Sequence, residues 1–229
     1  MTDGSIKCVI AGDANVGKTS LLDRFINDRL PTYACSTIGV ECRVVRIPGM
    51  QPLKIRFWDT AGCERFDAVT KIYYRGVDCA LVCYSEQNIE SLHRVEHWVE
   101  QIREENESIT RKARKKINRT LCCEERYVEL PSVDSDDDDL YQIPILLIAT
   151  KCDTKQDSLT FQKAKDIAER LHIQGPFFTS AKTMDREQLE IILRPFFRTV
   201  YRQLIPFSVK KPGTIELTKE HARRLSCCR

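Results

Sequence analysis

The stretch GDANVGKTS, residues 12–20, contains the residue types that hold a phosphate chain. It matches the spacing G-x-x-x-x-G-K-[ST], in which glycines let backbone N–H groups turn inward onto phosphate oxygens. Lys18 would neutralise charge on the β- and γ-phosphates, and the Thr19 hydroxyl would bind Mg²⁺. The motif follows an apolar run and precedes a helical pattern, which is the context that the phosphate loop requires. A chance Gly-Lys turn would not have to occur between a strand and a helix. The predicted nucleoside triphosphate site comprises Asp13, Ala14, Asn15, Val16, Gly17, Lys18, Thr19 and Ser20.

Two tetrapeptides further along the chain suit a guanine base. TKCD, residues 150–153, directly follows an apolar run, and the Asp153 carboxylate can accept hydrogen bonds from guanine N1–H and the exocyclic amine. Adenine does not present two donors in that arrangement. TSAK, residues 179–182, follows the short apolar run PFF. Each tetrapeptide is weak alone, but their order after the phosphate loop predicts a guanine site with Thr150, Lys151, Asp153, Ser180, Ala181 and Lys182.

The elements that must position these residues alternate between strand and helix. Apolar runs at 6–12, 78–84 and 143–150 predict buried parallel strands, and ECRVVRI and LKIRFWD around PGMQP predict a hairpin. This alternation predicts an α/β fold, a doubly wound, mostly parallel sheet with one antiparallel hairpin. Apolar residues at helical spacing predict a first helix through Leu21 and Phe25, a middle helix from Ile89 to near Glu105, and a last helix that Pro195 would interrupt with a kink.

Composition excludes several classes of protein. A hydrophobic fraction of 42% in 229 residues is enough for a sizeable core. The net charge of +3 gives no argument for nucleic acid, and none is expected as a partner. Neither a membrane-spanning run nor a signal peptide is predicted. Eleven cysteines without an export signal indicate free thiols in a reducing compartment, with Cys8, Cys79 and Cys83 as core residues.

Two segments do not fit the alternating pattern. Residues 106–142 carry a basic block, RKARKK, and an acidic block, DSDDDD, which predict either a solvated flexible face or an inserted functional loop. Periodicity fades near residue 205. The expected organisation is therefore one domain over 1–203, with a charged insertion at about 106–142, and a flexible tail over 204–229.

The motifs together resemble those of the Ras-superfamily small GTPases, and within them the Rab branch. The phosphate loop, STIGVE (36–41), WDTAGCERF (58–66), YYRG (73–76), TKCD and SAK occur in the order of that family. IGVE, ERF and YYRG are the pieces that resemble Rab proteins in particular. The resemblance covers most of residues 5–203 and implies the P-loop NTPase fold of a small G-protein.

The resemblance assigns further roles. Thr37 would be the switch I threonine, with its hydroxyl on Mg²⁺ and its N–H on the γ-phosphate, and Asp59 would hold the Mg²⁺ shell through water. Gly62 N–H would also contact the γ-phosphate, so that hydrolysis of GTP releases both loops. Lys151 would pack along the phosphate loop and the guanine, and Ala181 would offer an N–H to the base oxygen. The implied catalytic set is Lys18, Thr37, Gly62 and Cys63.

Cys63 stands where the family usually has a glutamine that orients the attacking water. A thiol is shorter and only a weak donor and acceptor, so slow intrinsic hydrolysis is predicted. Three interpretations remain open: a tolerated substitution in a switch whose activating protein supplies the missing group, a barely cycling GTP-bound protein, and a reactive thiol.

Other positions also depart from the family pattern. Thr150 replaces an asparagine, and a hydroxyl can supply part of the amide's hydrogen bonding. Leu30 lies where an aromatic residue commonly packs against the guanine. Cys42 and Phe57 replace the usual Phe and Ile in the region where Rab effectors dock, which predicts unusual partners.

The chain ends in SCCR, which resembles the Rab substrates that are geranylgeranylated on both cysteines, here Cys227 and Cys228. Two lipid chains give stable membrane attachment, and nearby basic residues would add attraction to anionic lipid. Idle terminal thiols are the alternative. The implied partners are GTP and GDP, effectors, an exchange factor, an activating protein, and escort and dissociation-inhibitor proteins.

The sequence therefore predicts a prenylated, Mg²⁺-dependent GTP hydrolase that acts as a switch in vesicle trafficking. Its place would be the cytoplasmic face of an intracellular membrane, with cycling to the cytosol. The alternative is a non-cycling, nucleotide-bound scaffold of the same fold. A phosphotransferase built on the same loop is disfavoured. It would need an acceptor site and a lid, and the sequence has the guanine and switch motifs in their place.

Overall fold

A single six-stranded sheet organises the protein. The computed structural model describes residues 5–30, 37, 39–47, 54–62, 67–106, 142–153 and 158–208. The strands are β1 Ser5–Ala11, β2 Val40–Arg46, β3 Lys54–Thr60, β4 Cys79–Ser85, β5 Ile145–Thr150 and β6 Gln174–Phe178. They lie in the order β2-β3-β1-β4-β5-β6, and every neighbouring pair is parallel except β2 and β3. The predicted mostly parallel sheet with one antiparallel hairpin is confirmed.

Helices connect the strands and flank the sheet. They are α1 Lys18–Asn27, α2 Asp67–Tyr74, α3 Ile89–His93, α4 over 95–106, α5 Ser158–Arg170 and α6 Arg186–Ser208. The single middle helix expected from periodicity is divided at Arg94, so that prediction is wrong in its continuity. Arg94 still donates its N–H to the Glu90 carbonyl, at 3.2 Å, but its φ of −86° and ψ of −4° depart from helical geometry.

Pro195 does not end the last helix. α6 runs from Arg186 to Ser208 and so crosses the expected domain boundary at residue 203. Proline lacks the N–H that would bond to the carbonyl four residues earlier, at Ile191. Because Ile191 is 74% exposed, this side of the helix faces solvent, where water can replace the missing donor.

Each face of the sheet has its own apolar core. β4 and β5 are buried along their whole length, as expected for parallel strands covered on both sides. The cluster on one face includes Phe25 and Phe197, and the cluster on the other includes Tyr84 and Trp98. Three thiols predicted to be core residues are fully buried, those of Cys8, Cys79 and Cys83.

Phe57 corrects one expectation about the partner-docking region. Its ring is fully buried between Phe25 and Phe197, at centroid distances of 5.9 and 5.6 Å and near-perpendicular angles. Successive strand residues face opposite sides, so Phe57 points into the core while Trp58 lies on the other face. Cys42, the other departure in that region, is exposed.

Several predicted features lie outside the described residues. These are Cys63, nearly all of the charged insertion (107–141), and the tail (209–229) with Cys227 and Cys228. Among the residues that the structure does describe, none of the helices combines the length and the hydropathy that crossing a membrane requires.

Candidate functional site

The predicted phosphate and guanine residues converge on one cleft. It lies where β1, β5 and β6 end, which is where ligands bind in open α/β sheets. Its volume is about 320 Å³. Residues of both predicted groups line it, together with Leu30 and two residues outside the motifs, Leu21 and Gln87. The lining residues are Gly17, Ser20, Leu21, Leu30, Gln87, Thr150, Lys151, Asp153, Thr179, Ser180, Ala181 and Lys182.

The phosphate loop turns sharply after β1. Gly12 has a φ of 136°, and a Cβ at this position would overlap the backbone carbonyl of Cys83 on β4. Only glycine fits both restraints. α1 then begins at Lys18 with no side-chain cap on its first N–H groups. Backbone donors at the start of a helix favour an anion, which suits a phosphate chain.

Lys18 holds a buried ammonium beside this loop. Nζ donates to the carbonyls of Gly12 and Asp13, at 2.7 and 2.8 Å. Burial lowers the pKa of Lys18, and nearby carboxylates only partly oppose that shift. No carboxylate lies within ion-pair distance of Nζ in the described part of the chain, so the charge can serve an incoming anion.

Three oxygen-bearing side chains meet beside Lys18. The Thr19 hydroxyl donates to Asp59 Oδ2 at 2.7 Å and lies 2.8 Å from the Thr37 hydroxyl. Asp59 is fully buried, its Oδ1 has no hydrogen-bond partner among the described residues, and burial raises its pKa. A dry carboxylate with an orphaned oxygen beside two hydroxyls suits a hard divalent cation such as Mg²⁺. The three residues predicted for the metal therefore fit it.

Gly62 packs directly on the phosphate loop. A Cβ at this position would overlap the backbone of Gly12 and Asp13. Any residue other than glycine at position 62 would therefore push the segment from Asp59 to Gly62 away from the phosphate loop. The backbone of Gly62 therefore lies against the backbone of the predicted phosphate loop. Cys63 follows immediately but lies outside the described residues.

On the base side, Ser180 fixes Asp153. Its hydroxyl donates to Asp153 Oδ1 at 2.8 Å and accepts the N–H of Lys182 at 3.2 Å. This hydrogen bond lowers the pKa of Asp153, so the carboxylate is ionised and keeps acceptor capacity for a ligand. The Ala181 carbonyl accepts from Arg24 Nε at 2.8 Å, which ties the same loop to α1.

Thr150 and Lys151 connect the base side to the phosphate loop. Lys151 Nζ donates to the Asn15 carbonyl at 2.7 Å. The buried Thr150 hydroxyl lies within hydrogen-bond distance of the Val16 carbonyl and, at 2.8 Å, of the Tyr84 carbonyl. It has one proton and therefore donates to one of them at a time. A hydroxyl here thus links β5, β4 and the phosphate loop.

Comparison with known proteins identifies the family. A sequence model described as the Ras family matches residues 7–123. The Ras-related protein RABA5b of Arabidopsis thaliana is 30% identical over an alignment of 206 residues that covers 87% of this chain and 78% of the relative. The chain belongs to the Rab branch of the Ras-superfamily small GTPases. The relative RABD2c of the same plant is 30% identical over 99% of this chain and 96% of its own. The yeast Ypt/Rab-type GTPase YPT7 is 37% identical over 41% of this chain.

The Rab assignment confirms the family resemblance and the fold that it implied. The individual roles of the cleft residues stay predictions. Sequence reasoning missed Gln87 in the cleft, and it missed Arg94 and Trp98 beside Asp13. A single Gln in a loop and an Arg–Trp pair on a helix are common, so motif spacing could not have indicated them.

Replacing Thr150 by valine in this Rab-type chain should lower the free energy of unfolding by about 1–3 kcal/mol, because two buried carbonyls lose their shared donor. Nucleotide should also dissociate faster, since the Val16 carbonyl belongs to the phosphate loop. Thr60→Val is the matched control, because its buried hydroxyl donates only to the Ile10 carbonyl on β1, at 2.8 Å. Denaturant unfolding and nucleotide release would be measured on both. Equal effects of Thr150→Val and Thr60→Val on nucleotide release would contradict a role for the Thr150 hydroxyl in holding the phosphate loop.

Proposed function

We propose that this Rab-type GTPase is a GTP/GDP switch whose states are set by Thr37 and Gly62. The observation that carries the proposal is the cluster of Thr19, Thr37 and Asp59 beside the buried Lys18. Thr37 belongs to the segment expected to change on hydrolysis, and its hydroxyl is within hydrogen-bond distance of the helix that holds the phosphates. When hydrolysis removes the γ-phosphate, the Thr37 segment and Gly62 each lose their contact with it.

The chain's own residues bind and orient the nucleotide. Asp153 accepts from guanine, and Lys151 and Thr150 hold the base loop against the phosphate loop. Lys18 exchanges its two carbonyl partners for phosphate oxygens, and loop N–H groups surround the phosphates. Thr19, Thr37 and, through water, Asp59 would hold Mg²⁺, which would supply positive charge next to the phosphates. The reaction is GTP and water to GDP and phosphate.

Cys63 makes the intrinsic reaction slow in this proposal. Its thiol cannot hold the attacking water as an amide does, so turnover depends on an activating protein that supplies the missing group. The alternative is a nucleotide-bound scaffold that does not cycle. The exposed Leu30 at the cleft favours neither, because it affects retention of the base rather than the chemical step.

The proposed organisation is a GTPase domain over 1–203, with its insertion at about 106–142, and a tail over 204–229 that carries the membrane anchor. Geranylgeranylation of Cys227 and Cys228 would attach the protein to the cytoplasmic face of an intracellular membrane, and a dissociation inhibitor would return it to the cytosol. There it would recruit effectors in vesicle trafficking. Membership of the Rab branch supports this part of the proposal.

Single-turnover hydrolysis of preloaded GTP tests the proposed chemistry. Cys63→Gln should raise the rate of phosphate release at least tenfold, which is about 1.4 kcal/mol of barrier. Cys42→Gln makes the same thiol-to-amide change at an exposed strand position and should leave the rate unchanged. If Cys63→Gln has no effect and GTP dissociates intact, the scaffold alternative is favoured. If neither GTP nor GDP binds the wild type, the proposed function is wrong.

A further inference from the structure

The Asp13 carboxylate in the phosphate loop is held by two residues from outside the loop. Oδ1 accepts a hydrogen bond from Trp98 Nε1 at 2.8 Å, and Arg94 Nε lies 3.2 Å from the same oxygen. The Arg94 guanidinium also lies 5.8 Å from the Trp98 ring centroid. The Asp13 side chain is only 15% exposed, so its direction is set by these contacts rather than by water.

Trp98 stands on a firmly supported helix. It is 1% exposed and packs in the same cluster as Val99 and Ile102 of α4. At the far end of α4, Asn106 donates to the Tyr74 carbonyl at 2.7 Å and accepts the Gly76 N–H at 2.8 Å. With α4 held at both ends, the indole N–H has a fixed position, as a positioning group requires.

The main chain of Asp13 is equally constrained. Its carbonyl accepts from Lys18 Nζ at 2.8 Å, and Gly62 packs against its backbone. The side chain and the main chain of one residue therefore join α4, the catalytic lysine and the segment that follows Asp59. A shift of Asp13 would move the loop N–H groups and the surface on which Gly62 rests.

We propose that Trp98 and Arg94 are positioning residues that act through Asp13 to hold the phosphate loop in its nucleotide-binding conformation. Trp98 contributes more than Arg94, because the indole is 1% exposed and its hydrogen bond to the carboxylate is charge-assisted, whereas the Arg94 side chain is 36% exposed. The inference rests on the proposed nucleotide site. It predicts that loss of the Trp98 N–H speeds nucleotide release without a change in any group that touches the nucleotide.

The test is a double-mutant cycle on the release of N-methylanthraniloyl-GDP from the full chain in Mg²⁺. Trp98→Phe and Asp13→Ala should each raise the dissociation rate about tenfold. The double variant should be no faster than either single variant, because both remove the same contact. Asp13→Asn keeps an oxygen acceptor for the indole N–H and should therefore release the nucleotide more slowly than Asp13→Ala.

Arg170→Gln is the matched control, because it removes a different contact to α4, made from the end of α5. Arg170 pairs with Glu96 of α4 at 3.0 Å but does not contact Asp13, so its loss should leave release unchanged. Rates that multiply in the double variant would overturn the proposal, as would equal rates for Asp13→Ala and Asp13→Asn. The second comparison stands even if Trp98→Phe does not fold. A wild type that binds no nucleotide would instead refute the proposed function.

Discussion

Replacing Asp153 by asparagine is expected to weaken guanine-nucleotide affinity about a hundredfold and to shift the preference of the cleft toward xanthine nucleotides. The ionised carboxylate offers two acceptors to the two donors of guanine, and the Ser180 hydroxyl fixes its orientation. Asparagine offers one acceptor and one donor, which matches the N1–H and the carbonyl oxygen of xanthine. Hydrogen bonds to a charged group contribute roughly 1.5–3 kcal/mol each, and 1.4 kcal/mol is tenfold in affinity.

Competition binding with GDP and xanthosine diphosphate would measure this change. Asp166→Asn is the control, because Asp166 is an acceptor for Gln162 on the surface of α5, away from the cleft. It should leave both affinities unchanged. An Asp153→Asn variant that loses GDP and xanthosine diphosphate equally would mean that Asp153 supports the loop rather than recognising the base.

The second large effect is expected at Asp59. Asp59→Asn should abolish the dependence of nucleotide release on Mg²⁺, so that release in Mg²⁺ becomes as fast as in a chelator, at least a hundredfold faster than in the wild type. The same variant should make the nucleotide-free and metal-free protein more stable. The reason is that burial disfavours the Asp59 carboxylate, and an amide of the same shape carries no charge to desolvate.

The pH dependence of unfolding follows from the direction of the same shift. Because burial raises the pKa of Asp59 in the folded state, its contribution to stability is present below the unfolded pKa and is lost as pH rises through the folded pKa. Asp59→Asn should remove that loss, and bound Mg²⁺ should offset it. Urea unfolding across pH 4 to 8 would measure both effects.

Asp78→Asn is a matched control, because Asp78 is a second carboxylate whose pKa is raised by burial, but it accepts from the Lys7 N–H near the start of β1, at the opposite end of the strand from the cleft. It should leave the Mg²⁺ dependence of release intact. If Asp78→Asn abolished that dependence as well, or if Asp59→Asn left it unchanged, the assignment of the metal site would be wrong.

The fold and most of the cleft could be predicted because their determinants are local. Each motif places a few residues relative to its own strand: the phosphate loop follows one apolar run, and the two tetrapeptides follow two others. Because the strands are parallel, their ends then lie at the same edge of the sheet. The phosphate-loop motif predicted Thr19, whereas Thr37 and Asp59 were assigned through the resemblance to the small GTPases. The structure brings both to the Thr19 hydroxyl.

The features that escaped prediction depend on contacts distant in sequence. Trp98 meets Asp13 across 85 positions, and no spacing rule relates a helix tryptophan to a loop carboxylate. Phe57 was expected near partners because of its motif, but strand alternation turned its ring toward Phe25 and Phe197. Pro195 is tolerated within α6 because that side of the helix faces solvent.

The cleft is built by segments that follow β1, β5 and β6, and these strands draw on both apolar cores of the domain. A nucleotide bound there would therefore add to the hydrogen bonds that already join these segments directly. Binding to the folded state alone adds about 4.1 kcal/mol when free ligand is at roughly 1,000 times its Kd. The free energy of unfolding would thus rise with the concentration of GTP or GDP, and the nucleotide-free chain would be the easiest form to unfold.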